Sequence, residues 1–400
     1  TPFIMASLAA NIPSPGDAPA KTGPSKYENG HAWSRIEWKK VFARTITASR
    51  MFMRSGLIRK DLLPSYSGEG DHPETAVVNN VAELESFFEG REKEGGRFVV
   101  KYSDASNAYG MNFVDCSDET TLATGLKKVK TEMEVDSSVM VVQRYVEPML
   151  IDDGTDRGTR HKFHLRALLL VVGDMEVYLY DELRVLIAPQ PYRTDLVVGN
   201  EALGTVESRA GDGEGWEGTC TEGVRTALHA HVTNQSFNMS HESYVGDKHN
   251  VALHECDPLR RGDGDNDLFG KDFGLWDQIR KVCARLFRSL SKNKRKFMSL
   301  VNTYELFGLD FLVDEGGKVW LLEANPEPSM KMFGKKREDI EGPEGACLED
   351  GGIPDGFVSV YNKDTEKAME KMKALLAEAK KMKVEANVEG VAVVGGEEVD

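Results

Sequence analysis

The chain has 400 residues, of which 40 % are apolar and 8 % aromatic, and its formal net charge is −15. That length can hold two or three domains, or one large body of helices and strands, with ample core. The excess of acid argues against a nucleic-acid binder, which needs a basic footprint, and no apolar run approaches the ~20 residues of a membrane span.

Residues 1–26 are rich in Pro, Ala, Gly and Ser and read as a disordered segment. Within it, Phe3–Ala10 is apolar but short and lacks the basic flank of a secretory leader. Residues 27–95 read as a small helical N-terminal domain, with helix-like patterning around Trp38, Val41, Phe42 and Ile46. A helix over 79–95 is expected to close at Gly95-Gly96. Strands are expected at Arg97–Lys101, Val139–Gln143, Lys162–Val172, Glu176–Tyr180 and Leu183–Ile187, with 96–180 forming a central domain. A second domain, 181–345, opens with the acidic, glycine-rich stretch Gly204–Gly218, which reads as a loop. It continues with a helix over 275–297 that gathers Trp276, Ile279, Cys283, Leu286, Phe287 and Leu290 on one face. Residues 346–400 hold a last helix, 364–383, and an unfolded tail. Strands mixed with helices, then a terminal hairpin, predict an α/β or α+β fold. Cys116, Cys220, Cys256, Cys283 and Cys347 are scattered, odd in number and without a CxxC pair, which suits reduced thiols in the cytoplasm rather than disulfides or zinc.

Chemistry concentrates in Tyr304–Met330, YELFGLDFLVDEGGKVWLLEANPEPSM. Two apolar runs flank Asp314-Glu315-Gly316-Gly317, the pattern of a hairpin. Glu323 and Asn325 share a strand face, and pairing Asp314 with Gly317 sets Asp310 opposite Leu321, on that same face. Three hard oxygen donors beside an apolar wall suit Mg²⁺ carrying nucleotide phosphates. Acids facing water on an edge hairpin are the plain alternative, less suited to so apolar a segment.

Upstream, RHKFHLRALLLVV (Arg160–Val172) puts Lys162, His164 and Arg166 on one strand face, where they would repel one another unless an anion sat there. Arg184 follows on the return strand. Lys101 ends the strand RFVVK beside a loop of small residues and can reach phosphate oxygens. The strand end Arg144–Val146 offers backbone groups to an adenine edge, as any strand end does. Competing motifs fail: Asp263, Asp265 and Asp267 start an EF-hand pattern that Leu268 and Gly274 break, and His249, His254 and Cys256 lack zinc spacing.

Taken in order, LIRKDLL, FVVKYS, VVQRYVEPMLI, HKFHLRALLLVV, VYLYDELRVLIAPQPY, HVTNQS and the terminal hairpin resemble the tubulin–tyrosine ligase-like family over about Leu57 to Met330. The resemblance implies an ATP-grasp fold, with nucleotide held between a central domain and a C-terminal mixed-sheet domain. It implies that Lys101 and Lys162, with Lys60, bind phosphates; that Gln143, Arg144, Tyr145 and Val146 hold adenine; and that Thr233 and Asn234 lie near the nucleotide. Arg166 and Arg184 would face the reacting groups, with His164 a further catalytic candidate, and Asp310, Glu323 and Asn325 match the Mg²⁺ ligands. Two departures stand out: where relatives often have KFDIR this chain has His164 in place of the aspartate, and Tyr102 replaces a usual proline.

The implied activity is an ATP- and Mg²⁺-dependent ligation of a free amino acid to a protein carboxylate, the acceptor being an acidic tail such as tubulin's, with no nucleic acid or membrane as partner. Arg280 to Lys296 contains eight Lys/Arg and no acid and is a candidate surface for that tail, or simply a solvated helix face. The alternatives are a nucleotide-binding protein with weak catalysis, suggested by His164, and a ligase of small carboxylates.

Overall fold

The computed structural model describes residues 33–105, 108, 110–135, 139–152, 159–198, 201–202, 222–256, 274–335, 340, 346–349 and 352–374. The expected disordered segment 1–26, the Gly204–Gly218 loop, the Asp263–Asp267 motif and the tail beyond 374 lie outside these residues.

The first sheet contains β1 (Thr75–Val78), β2 (Arg97–Tyr102), β3 (Asn112–Asp115) and β4 (Met140–Arg144) in the order β1-β4-β2-β3, all antiparallel. One face is buried under α1 (Val81–Phe88) and α2 (Glu119–Val135), through Phe98, Val100, Val114 and Val142 against Leu84, Phe88, Leu126 and Val129. Asn80 caps α1 by accepting from the Glu83 N–H at 2.9 Å, while Glu83 reaches back to the Asn79 N–H at 2.9 Å, satisfying donors the first turn leaves open. The helix expected over 79–95 is two pieces, because Gly90 takes φ +78° and a second short helix, Arg91–Glu94, starts after it. The opposite face, with Val99 and Phe113, packs on α3 (Glu222–His231).

The second sheet is larger. It assembles β5 (Leu150–Asp152), β6 (Arg160–Val172), β7 (Glu176–Tyr180) and β8 (Arg184–Ile187) with strands from the C-terminal third of the chain. After a two-residue ribbon, β9 (Val197–Val198) and β10 (Glu201–Ala202), come β11 (Asn250–Ala252), β12 (Tyr304–Val313), β13 (Val319–Asn325) and β14 (Phe357–Asn362). The spine is β11-β8-β6-β12-β13, with β5 and β7 also on β6 and β14 on β7. Every pairing between these strands is antiparallel, so the α+β reading applies and the expected mixed sheet is corrected. Beneath it lies α4 (Leu275–Leu290), whose Ile279, Cys283, Leu286, Phe287 and Leu290 bury against Phe163, Leu165, Phe307, Leu309 and Phe311. α4 stops at Ser291 rather than running to 297.

The sheets divide the chain differently from the expected boundaries. β1 comes from within 27–95, and β6 leaves the 96–180 segment to pair with β12, in register from Phe311↔Leu165 to Tyr304↔Val172, with β7 on its other side. Adjacency along the chain does not decide which strand a long apolar strand pairs with; complementary buried faces do. The N-terminal helical patterning resolves into the short helices Trp38–Phe42 and Ser55–Ile58 around a cluster of Trp33, Trp38, Phe42 and Phe52, whose apolar spacing serves side-chain stacking more than helix periodicity.

Candidate active site

The two sheets face each other across a cleft lined by residues of both, the position at which small-molecule sites form between domains. Its floor is the even-numbered face of β6, where Lys162, His164 and Arg166 alternate with the core residues Phe163, Leu165 and Ala167.

The hairpin supplies the acids by an unexpected route. Its loop is one residue longer than the turn predicted, so Val313 pairs with Val319 and Phe311, not Asp310, opposes Leu321. A β-bulge then falls at Leu322, and Asp310 pairs directly with Glu323. Continued without the bulge, that register would set Glu323 across from Leu309, on the core side. The extra residue turns Glu323 to the cleft, beside Asp310 and ahead of Asn325, which opposes Gly308.

Asp310 is buried and held from both sides. Arg166 on the neighbouring strand grips it with two parallel hydrogen bonds, one from Nη2 at 2.8 Å and one from Nε. His164 Nε2 stands 3.3 Å from its Oδ1. Burial alone would raise this carboxyl; the Arg166 guanidinium and His164 overcome that and hold it well below the usual carboxylate range. The Asn325 amide lies 3.2 Å from Asp310 and 3.4 Å from Glu323. Lys60 Nζ sits 3.4 Å from Glu323 Oε2 and also donates to the Ala105 carbonyl.

Two lysines also line the cleft, Lys101 from the first sheet and Lys162 from β6. Lys101 Nζ donates to Gln143 Oε1 at 2.7 Å, and burial, with Lys60 nearby, lowers it to about 8 against the pull of Glu323. Lys162 Nζ donates to the Tyr145 hydroxyl at 3.1 Å and lies 4.4 Å from that ring's centroid. Burial first, and Lys101 second, bring it down to about 7. Two such buried amines, neither in an ion pair among the described residues, suit an added anion.

The remaining predicted residues separate into those that face the cleft and those the fold engages. Gln143 and Tyr145 line it, but the Arg144 and Tyr145 N–H groups donate to Glu74 and Arg97 carbonyls at 2.8 Å, leaving the Val146 N–H without an acceptor among the described residues. Thr233 Oγ1 meets His164 Nδ1 at 2.6 Å. Asn234 lines the cleft while its side chain caps a short helix, accepting from the Phe237 N–H at 3.2 Å. Arg184 pairs in register with Arg166 and is anchored by Asn250 at 3.0 and 2.8 Å and by Glu182 at 3.3 Å.

Several contributors carried little sequence signal. His231 holds Tyr145 through a 2.9 Å contact to its hydroxyl. Gly308 lies in mid-strand, and a Cβ there would come within 3.0 Å of Pro328 and 3.2 Å of the Arg166 stem. An isolated glycine inside a strand marks such close approach, and that signal was available in YELFGLDF. Nothing local in VWLLEAN announces the bulge.

Two carboxylates and an amide are hard donors of the kind that suit a divalent cation bound together with phosphates; among the described residues no group of three or more His, Cys, Asp or Glu side chains gathers as metal ligands would. His249 stacks on Tyr244 instead.

The tubulin-tyrosine ligase family profile matches residues 73–202 and 223–341, more than half of the chain. A probable tubulin–tyrosine ligase of Schizosaccharomyces pombe is 26 % identical over 217 residues, 54 % of this chain and 42 % of the relative. A probable tubulin polyglutamylase of Homo sapiens is 27 % identical over 203 residues, 48 % of this chain and 27 % of the relative. The aligned region thus spans less than half of either relative. Among solved structures, the C-terminal domain of K. lactis Pby1, an ATP-grasp enzyme interacting with the mRNA decapping enzyme Dcp2, superimposes with a TM-score of 0.51 at 17 % identity, covering 90 % of this chain and 94 % of that one. The fold is therefore ATP-grasp, as the sequence resemblance implied.

Proposed function

Because the chain belongs to the tubulin–tyrosine ligase family, we propose that it is an ATP- and Mg²⁺-dependent ligase that joins a free amino acid to a carboxylate of an acidic protein tail. The observation that carries this reading is the meeting of Asp310 and Glu323, Asn325 beside them, with Lys162 of the same sheet and Lys101 of the facing one, in a cleft lined by Tyr145 and Val146.

In this reading adenine lies at the Val146 end and the phosphates run between the lysines and the acids. Mg²⁺, when bound at Asp310, Glu323 and Asn325, neutralises charge on the phosphoryl oxygens. An acceptor carboxylate oxygen attacks the γ-phosphorus, the bond to the β-phosphate oxygen breaks, and ADP leaves. The amine of the incoming amino acid then adds to the acyl phosphate carbonyl, and expulsion of phosphate leaves an amide. Arg166 and Arg184, side by side on adjacent strands, offer fixed positive charge where the carboxylate and then the tetrahedral oxyanion sit. Asp310 and Glu182 offset the repulsion between them, so both guanidiniums are oriented before substrate arrives.

The basic stretch 280–296 is a poor acceptor surface in this arrangement. α4 covers the sheet face opposite the cleft, and Arg285 and Arg288 already pair with Asp71 at 2.6 Å and Glu366 at 2.6 Å. The acceptor reads better as approaching Arg184 and Lys335, which donates to Glu182 at 3.3 Å on the cleft-side wall.

The direct test incubates the full chain with ATP, Mg²⁺, each amino acid and acidic tail peptides, tubulin's among them, and weighs the peptides by mass spectrometry. A mass gain of one residue, with matching ADP release, supports the reading. ADP release with no mass gain on any peptide, or gain on small free acids instead, overturns the acceptor class. The tight Asp310–Arg166 pair favours a second reading, a nucleotide binder without turnover; it predicts ATP·Mg²⁺ binding with no ADP formed.

A further inference from the structure

We propose that His231 is a positioning residue of the nucleotide cleft: by taking the Tyr145 hydroxyl proton it keeps the phenolic oxygen turned to Lys162, so that this lysine meets phosphate as an ammonium ion. The proposal rests on the ligase reading only for the presence of phosphate at Lys162; neither the cation nor the acceptor enters it.

His231 ends α3 and is 2 % exposed. Its ring packs among aromatic neighbours, with centroids 5.5 Å from Phe113, 5.4 Å from Tyr192 and 5.8 Å from Tyr145. Nε2 has no hydrogen-bond partner there, which costs stability in so buried a place. Nδ1 instead meets the Tyr145 hydroxyl at 2.9 Å, and Lys162 Nζ donates to that same oxygen at 3.1 Å. Lysine, phenol and imidazole thus form one chain leading away from the cleft.

Lys162 fixes the direction of that chain. An ammonium group only donates, so the phenolic oxygen accepts from it and must send its own proton elsewhere. Tyr192 also stands beside Tyr145, but its hydroxyl already donates to Glu147 at 2.9 Å and accepts from Arg97 at 3.2 Å. His231 Nδ1 is the better acceptor, provided the imidazole is neutral. Burial first, then Lys162, Arg97 and Arg193, bring it down to about 3 against the pull of Asp195, so it is neutral at any working pH. Tyr145, raised by burial, keeps its proton too. Only the lysine of this chain titrates near neutrality: burial, Lys101 and Arg97 push its proton off, and Glu147 helps retain it. Without His231 the hydroxyl proton would swing toward the amine and bond its lone pair, which favours the uncharged form.

The test is calorimetric binding of the imido analogue of ATP, with Mg²⁺, to the full chain across neutral and mildly alkaline pH. His231→Leu should weaken binding about tenfold near neutrality and move the pH at which affinity falls about one unit lower. His231→Asn sets an amide oxygen close to where Nδ1 lies and should restore most of both. His231→Gln sets it where Nε2 lies and should not. These two amides differ by one methylene, so their comparison carries the test if His231→Leu folds poorly. In a Tyr145→Phe chain, His231→Leu should shift the pH profile no further, because the two residues act in series. A histidine that only packs would change affinity without moving the profile. An unmoved profile in folded His231→Leu, equal behaviour of the two amides, or shifts that add in the Tyr145→Phe chain overturns this proposal and leaves the ligase reading standing. No binding of the analogue by the unsubstituted chain overturns both.

Discussion

The two faces of the β6–β12 ladder share every backbone hydrogen bond and nothing else. On one side Phe163, Leu165, Ala167, Phe307, Leu309 and Phe311 are fully buried against α4. On the other, Lys162, His164 and Asp310 line the cleft, with Arg166 on Asp310 and against Gly308. The apolar face contributes most of the burial free energy and makes the strands rigid. The polar face then holds like charges side by side and a buried carboxylate, at a cost the core offsets. Rigidity from one side is what lets the other be preorganised.

The largest expected effect breaks the apolar side. Phe311→Ala removes a fully buried ring and should lower unfolding free energy by about 3–5 kcal/mol, read by denaturant titration; a loss below about 1 kcal/mol contradicts the rigid-face picture. On the polar side, Glu323→Gln should cut turnover on the order of a hundredfold while the melting temperature barely moves, because Glu323 is half-buried with Lys60 as its ionic partner. Equal losses of stability and turnover there would make Glu323 a structural residue.

A smaller effect comes from pH. Lys162 and Lys101 sit at about 7 and about 8 in the free chain, so phosphate must find them protonated. Nucleotide affinity should fall about tenfold between roughly pH 6.5 and 8.5, with proton uptake on binding detectable by calorimetry in buffers of different ionisation heat. The ligand-free chain should show the opposite trend in stability. Its folded lysines release protons before the unfolded ones, so these groups add stability as pH rises from about 7 toward their ordinary value of 10.5. Affinity that is flat with pH would mean neither lysine meets phosphate.

Gly308→Ala tests how closely the faces are joined. The new methyl meets Pro328 and the Arg166 stem, so about 1–2 kcal/mol of stability and a few-fold in turnover should be lost together; wild-type behaviour would show that Arg166 can move freely. Least affected should be acceptor binding when Lys292, Lys294, Arg295 and Lys296 are reversed in charge. Behind the sheet, they should alter acceptor affinity less than about threefold at physiological salt, and a larger drop would return that surface to the binding site.

Much of this site was legible in the primary structure. Alternation with period two put Lys162, His164 and Arg166 on one face because a pleated strand permits no other arrangement, and the apolar spacing of α4 fixed its buried stripe for the same kind of local reason. Acids embedded in the last apolar hairpin signalled a polar function because nothing else keeps such groups there. Local periodicity could not say that β1 pairs with β4 rather than β2, that β6 also pairs with β12, that β14 extends the sheet through β7, or that Asp310 is gripped by Arg166 from a strand some 140 residues earlier. Nor could it find the bulge at Leu322, without which Glu323 would face the core. Sequence determined which residues share a face, since that is set by bond geometry over a few residues. Which faces meet, and in what register, was decided only when distant strands packed and each buried charge had to find its partner.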